Sequence, residues 1–410
     1  MSDPSRTDRL SGARFPELDG LRGLAALCVV LAHYALAFQP SLLGGGARVA
    51  HFAASVWIGA TPLIAPYNPE LGVAIFFTLS GFVLAASVAE RPLPLRALAV
   101  RRWLRLALPI FATSLLPFLL IEAGLMRAGA VAALAKSDWL AGSYAWVGSQ
   151  PNALPELAWQ SFVDLFARGR DLYNGALWTM PTELWGSFAI YVAYATVGRL
   201  IAAPAARIVV ALLVLLLVWR TPFGGFACGA ALFELRRLVV RLPGNVCLLL
   251  VLAGFVLGGF PFLLDLPGNG FYARLFIALA NVTDNPVLFA HRCGAVALTA
   301  AALFSPACAA FLRLRPCRAL GRISFMVYLV HVPLLCSLAA GLLLMLAPAV
   351  GYNAATALML PPFLAVLLVV GEAATRWIDA PSLRVSRVVG AWAARPWSAR
   401  VPDADAVRAS

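Results

Sequence analysis

Charge is what this sequence has least of. Asp, Glu, Lys and Arg make up 12% of its 410 residues, about half the ~25% of a soluble domain, so the chain cannot clothe a large soluble surface. Lysine is nearly absent: Lys136 stands alone, and every other basic residue is Arg. These arginines lie between apolar runs, not on one domain. That placement excludes a nucleic-acid footprint despite a net charge of +13 and reads as control of membrane topology. The seven Cys are odd in number and form no C-x-x-C pair, which excludes a disulfide framework and a structural zinc site. Also missing are G-x-x-x-x-G-K-[ST], a G-x-G-x-x-G after a strand, G-x-S-x-G and H-E-x-x-H, so ATP-driven transport and metal hydrolysis fall away. No His is followed by Asp five positions on, which removes the H-x-x-x-x-D arrangement of glycerolipid acyltransferases.

What is present is apolar sequence. Hydrophobic residues make up 61% of the chain and mean hydropathy is +0.84, which predicts an all-α polytopic membrane bundle whose helices each need ~20 apolar residues. Ten stretches qualify: 20–38, 70–88, 104–124, 176–197, 206–220, 223–235, 246–264, 293–312, 322–346 and 356–378. The sixth is short and Gly-rich, open to tilting or merging with its neighbour. An even count puts both termini on one side. With the amino terminus inside, 24 basic residues fall on inner segments and 8 on outer ones, which sets both termini in the cytoplasm. Met1–Pro16 is polar and the first apolar run lacks a small-residue cleavage site, so that run is expected to stay as a span. Residues 15–380 then form one membrane-embedded domain, and 381–410 a short, loosely ordered cytoplasmic tail.

The long connections, 39–69, 126–175 and 265–292, are all expected outside. The second sets Trp139, Tyr144, Trp146, Trp159 and Tyr173 among Asp138, Glu156, Asp164 and Asp171. Aromatics beside carboxylates suit sugar recognition; an interfacial aromatic belt would look the same. His51 and His291 fall in outer loops and say little alone.

Ionisable groups inside a span are costly and are functional candidates by default. Arg22 and His33 are eleven residues apart, three turns plus about 20°, so they face one way across roughly 16 Å. An Arg at the inner mouth can hold phosphate, and a deeper neutral imidazole can take a proton from a hydroxyl. That separation is about the reach of a pantetheine arm. Topology anchoring for Arg22 and a helix–helix bond for His33 are the plainer readings. Glu183 falls at a similar depth, with Pro181 before it disturbing the helix; it could orient His33, accept a sugar hydroxyl, or partner an Arg. Tyr328 and His331 share a helix face ahead of Pro333, shallower than His33, where His331 could line the same channel or simply pack. Glu372 and Arg376 read as an i,i+4 ion pair. Ser80 in Phe76-Phe-Thr-Leu-Ser-Gly-Phe82 is an available nucleophile, although Ser-Gly in a membrane helix usually serves close packing.

Together these stretches resemble acyltransferase family 3, the integral-membrane O-acyltransferases of surface glycans. The resemblance rests on Leu18-Asp-Gly-Leu-Arg22-Gly-Leu-Ala-Ala-Leu27 leading to His33, on Phe76-Phe-x-x-Ser80-Gly-Phe82, and on Arg101-Arg102-Trp-Leu-Arg105. Trp178-x-x-x-x-Glu183 and Gly321-Arg-Ile-Ser-Phe-Met-Val-Tyr328-Leu-Val-His331-Val-Pro333 complete it. It spans about residues 15–380. It implies a ten-helix fold, an acyl-coenzyme A donor, with acetyl the expected group, and a carbohydrate or lipid-linked glycan hydroxyl as acceptor. His33 would be catalytic, with Arg22 and the Arg101, Arg102 and Arg105 cluster near the donor. No permanently bound cofactor, metal or nucleic acid is implied; the membrane would be a bacterial inner membrane. Around Glu183 the sequence departs from the bacterial pattern, since Pro181 precedes it and Leu184-Trp-Gly186 follows, which bears on the acceptor. The soluble esterase-like domain of some members is not expected. The rival class is a proton-coupled transporter or lipid flippase with His33, Glu183 and His331 as relay, but the two halves show no matching interrupted helices.

Overall fold

The computed structural model describes residues 15–90, 93–261 and 270–395. Arg6, Arg9, Arg14, Arg91, Arg400 and Arg408 from the charge asymmetry, and residues 396–410 of the expected tail, lie outside the described residues.

Each of the ten predicted stretches holds a helix among the described residues: α1 (Pro16–Phe38), α2 (Pro69–Glu90), α3 (Leu95–Glu122), α4 (Met180–Leu200), α5 (Pro204–Val218), α6 (Phe223–Leu238), α7 (Gly244–Gly258), α8 (Pro286–Phe304), α9 (Arg315–Val350) and α10 (Tyr352–Ala394); 262–264 of the seventh stretch lie outside the described residues. Helices α1, α2, α3, α8, α9 and α10 are long and apolar enough to cross a bilayer, and α5 and α7 are shorter apolar helices. The protein is an all-α, multi-pass membrane protein. Proline opens several helices, among them Pro16, Pro204 and Pro286, at positions whose N–H has no intrahelical partner anyway.

In lipid, helices associate through close packing of small residues, and two glycine crossings organise the bundle. A Cβ on Gly81 of α2 would sit 2.2 Å from Phe226 O, and one on Gly229 of α6 would sit 2.1 Å from Thr78 O. The Gly-rich sixth stretch is therefore a separate helix laid backbone-to-backbone on α2. A Cβ on Gly23 of α1 would sit 2.4 Å from Gly321 N, and one on Gly321 of α9 2.1 Å from Asp19 O.

Three expectations change. Helix α8 begins at Pro286, not 293, because the Asn285 side chain accepts from Leu288 N at 3.0 Å and caps it; this moves His291 and Arg292 from an outer loop into a buried helix. Residues 381–394 are helical rather than a loose tail: α10 continues through a π-turn at Thr375–Asp379 and lies along α3, where Arg96 Nε donates to Ala393 O. Glu372, expected to pair with Arg376, forms its ion pair with Arg322 of α9 at 2.6 Å.

The helix ends sort into two faces. One is tied by Arg313 to Glu17 and by Leu242 N to Phe304 O. The other is tied by Tyr352 to Phe38 O, Asn353 to His51 O and Lys136 to Ala50 O. The first two long connections fold onto this second face in short helices, including Ala54–Ile58, Ala128–Ala135 and Asp138–Gly142.

Candidate active site

Helices α1 and α9 run parallel from the Gly23–Gly321 crossing. His33 lies ten residues beyond Gly23, and His331 ten beyond Gly321, so equal helical rise carries both imidazoles about 15 Å to one level. Their ring centroids are 4.9 Å apart. His331 is thus not shallower than His33, as the sequence suggested, but its neighbour.

Hydrogen bonding assigns the protons. His331 Nδ1 lies 2.6 Å from Tyr328 O; a carbonyl only accepts, so Nδ1 carries the hydrogen and the neutral ring's Nε2 offers a lone pair. That lone pair faces His33 Nδ1 at 3.2 Å, while Val29 O lies 2.9 Å from the same atom. Both partners accept, so the Nδ1 hydrogen of His33 is shared between them. A neutral His33 then has its lone pair on Nε2, on a side chain that is not fully buried. Across from it the Trp139 ring stands 5.5 Å away, centroid to centroid.

Towards the Arg-rich face lies a cavity of about 240 Å³, bordered by Arg22, Ser80, Arg102, Arg105, Glu183 and Tyr328 among others. Within it the Ser80 hydroxyl donates to the Glu183 carboxylate, with oxygen separations of 2.8 and 3.0 Å, and Arg102 Nη2 donates to Glu183 Oε2 at 2.5 Å. Glu183 is therefore a partner of Arg102 and Ser80 and does not orient His33. Arg105 is paired with Asp379 of α10, and Arg22 with Asp19 at 3.1 Å. Arg101 is not at the cavity; one residue is 100° of helix, and its side chain lies against Gly390 of α10 instead. Ser80, Arg22, Arg102, Arg105, Glu183 and Tyr328 are brought together, and His33 with His331 forms the adjoining layer.

Pro333 explains how the cavity is assembled. Its missing N–H leaves the carbonyl of Leu329 without an intrahelical donor; Asn174 Nδ2 donates to that oxygen at 2.6 Å. Asn174 also caps the 3₁₀ turn Gly175–Thr179, whose Thr179 hydroxyl meets the Tyr328 hydroxyl at 2.8 Å. The Tyr328 hydroxyl lies 2.7 Å from Ala176 O as well. Helix α4 starts straight after this turn, with Pro181 in its first turn, where proline breaks no bond; the disturbance expected at Pro181 does not arise. Tyr328 borders the cavity on one side and approaches the His331 ring to 5.6 Å on the other, so it stands between the two layers.

Sequence reasoning missed Asn174, Thr179 and Asp379. Pro333 carried a usable signal, because an orphaned carbonyl inside a membrane helix requires a donor from elsewhere. The aromatic and acidic segment is less open than it reads. Trp146 Nε1 donates to Leu172 O, the Tyr144 hydroxyl to Tyr173 O, and Glu156 and Asp164 are ion-paired with Arg170. Of that group, Trp139 is the ring set against His33.

The profile of acyltransferase family 3, described as an acyltransferase domain, matches residues 15–373. No curated protein and no solved structure shows a significant match.

Proposed function

Since the chain belongs to acyltransferase family 3 and is an acyltransferase of the membrane, we propose that it moves an acyl group, acetyl being the expected one, from acyl-coenzyme A to a carbohydrate hydroxyl. The donor approaches from the Arg-rich face, which is cytoplasmic together with both termini. The acceptor, such as a surface or lipid-linked glycan, meets it from the face of the long connections. The ten helices would be ten spans of a bacterial inner membrane.

The observation that carries this reading is the tautomer of His33. Its Nδ1–H is held by Val29 O and His331 Nε2, leaving Nε2 as the proton acceptor. In the reaction Nε2 takes the proton of the acceptor hydroxyl as its oxygen attacks the thioester carbonyl. The tetrahedral intermediate collapses with loss of the coenzyme A thiolate, which receives that proton from His33. The positive charge passing through the imidazole is eased by the His331 lone pair on Nδ1–H, as a third group steadies a catalytic base elsewhere. Ser80 is held by a carboxylate that is itself neutralised by Arg102, which supports a structural or donor-positioning role over a nucleophilic one.

The test is thiol release from acetyl-coenzyme A by purified protein, with and without glycan. His33→Ala should lower turnover by about 10²–10⁴-fold, the usual size of a general-base contribution. Turnover unchanged in His33→Ala would remove this histidine from the chemistry.

A further inference from the structure

The cluster of Arg101, Arg102 and Arg105 first expected near the donor is largely committed elsewhere. Arg102 is bonded to Glu183 and Arg105 to Asp379, and Arg101 is turned to α10. Beyond Arg22, however, the groove between α1 and α9 opens into a second cleft of about 460 Å³, bordered by Asp19, Arg22, Arg315, Arg318, Gly321 and Arg322. Four guanidinium groups face one carboxylate there. Asp19 takes Arg22, and Arg322 reaches out to Glu372. The exposed side chains of Arg315 and Arg318 have no hydrogen-bond or ion-pair partner among the described residues.

We propose that this cleft is a phosphate-ester subsite, and that Arg315 and Arg318, with Arg22, seat the phosphorylated nucleotide end of the donor. The assignment rests on the acyl-coenzyme A reading above. Two features support it. Arg22 borders both spaces, so the cleft and the inner cavity are joined at one side chain. The lining of α9 is also continuous, since Arg318 and Gly321 border the cleft while Ser324 and Tyr328 border the cavity. Thirteen residues of helix separate Arg318 from His331, about 20 Å of rise, which suits an extended pantetheine arm with its phosphates at Arg318 and its thioester beside the histidines. Planar, uncompensated guanidinium groups are suited to bidentate phosphate binding.

Phosphate esters also occur on lipid headgroups at this face, and the experiment separates the two sources. The full-length protein is placed in phosphatidylcholine nanodiscs, as wild type and as the Arg315→Gln/Arg318→Gln double variant. Binding of adenosine 3′,5′-bisphosphate is measured by calorimetry, and KM is measured for acetyl-coenzyme A and for S-acetylpantetheine, which lacks the phosphates. The expected result is at least about tenfold weaker bisphosphate binding and a similar rise in KM for acetyl-coenzyme A. The KM for S-acetylpantetheine and kcat should stay near wild type. Equal bisphosphate binding by the two proteins overturns the subsite. A parallel preparation in nanodiscs that also contain phosphatidylglycerol measures how much of that lipid stays with each protein; a variant that retains less phosphatidylglycerol yet binds the bisphosphate as wild type does overturns the subsite too and assigns the cleft to lipid. Wild type that binds the bisphosphate yet turns over neither thioester leaves the cleft standing and overturns the acyl-donor reading.

Discussion

His33 owes its free Nε2 to two acceptors, Val29 O and His331 Nε2, and only one of them is a side chain. His331→Ala should therefore leave the tautomer in place through Val29 O while removing the group that eases positive charge. The expected outcome is a kcat about tenfold lower, with KM for the donor little changed and the lower limb of the pH–rate profile displaced; an unaltered pH profile would reduce His331 to packing. Glu183 makes a different prediction. Replacing it with Gln leaves Arg102 enclosed without its counter-charge, a loss on the order of 3 kcal/mol, seen as a lower thermal midpoint in detergent. Arg102→Gln on top of Glu183→Gln should recover part of that loss, since the pair acts as a unit. At this scale His33 was legible because an imidazole in a span stands out against its neighbours. Its true partner was not legible, because contact with residue 331 depends on the α1–α9 crossing, and Glu183 looked like its companion only while its Arg partner was unknown.

Helix positions were readable from apolar runs, and helix ends less so. The Asn285 cap and the π-turn at Thr375–Asp379 are local devices that shift a boundary by several residues without changing hydropathy. The glycine crossings carry the architecture, and a bulky residue there forces backbone apart. Gly321→Leu should lower both the thermal midpoint and turnover, whereas His33→Ala lowers turnover alone; a folded, active Gly321→Leu protein would contradict the crossing as the source of the histidine pairing. The long connections supply a pH-dependent element. His51 Nε2 lies 3.1 Å from Ala135 O and its ring stacks on Tyr352 at 3.8 Å; partial burial, aided by the Lys136 charge, lowers its pKa from 6.5 despite the Ala135 bond. A lowered histidine pKa means the fold favours the neutral ring, so its contribution is full above about pH 6.5 and fades on acidification below it. Thermal midpoints should fall between pH 7 and pH 5 in wild type, and fall less in His51→Phe.

For the molecule as a whole, the arginine asymmetry groups one set of helix ends, and the contacts from Arg313 to Glu17 and from Arg96 to Ala393 O gather ends of that set on one face. Accessibility to a membrane-impermeant maleimide tests which face is cytoplasmic. In a cysteine-free background, Ser149→Cys on the connection between α3 and α4 should label in intact cells, and Arg384→Cys on α10 only after permeabilisation. The reverse pattern would invert the proposed orientation. The cavity itself could not be foreseen in outline, because its lining is held in place by Asn174, Thr179 and Asp379, polar residues from segments that hydropathy ranks as ordinary. The paired ten-residue offsets from Gly23 to His33 and from Gly321 to His331 have one further consequence, for how the chain can change length. Insertion of a single residue in either interval would swing one imidazole by 100° and raise it about 1.5 Å, out of reach of the other. The two intervals behave as matched rulers: a member of this architecture that lengthens one must lengthen the other by the same number of residues to keep its histidines level, and by a near-whole number of turns, about seven or eleven residues, to keep them facing each other.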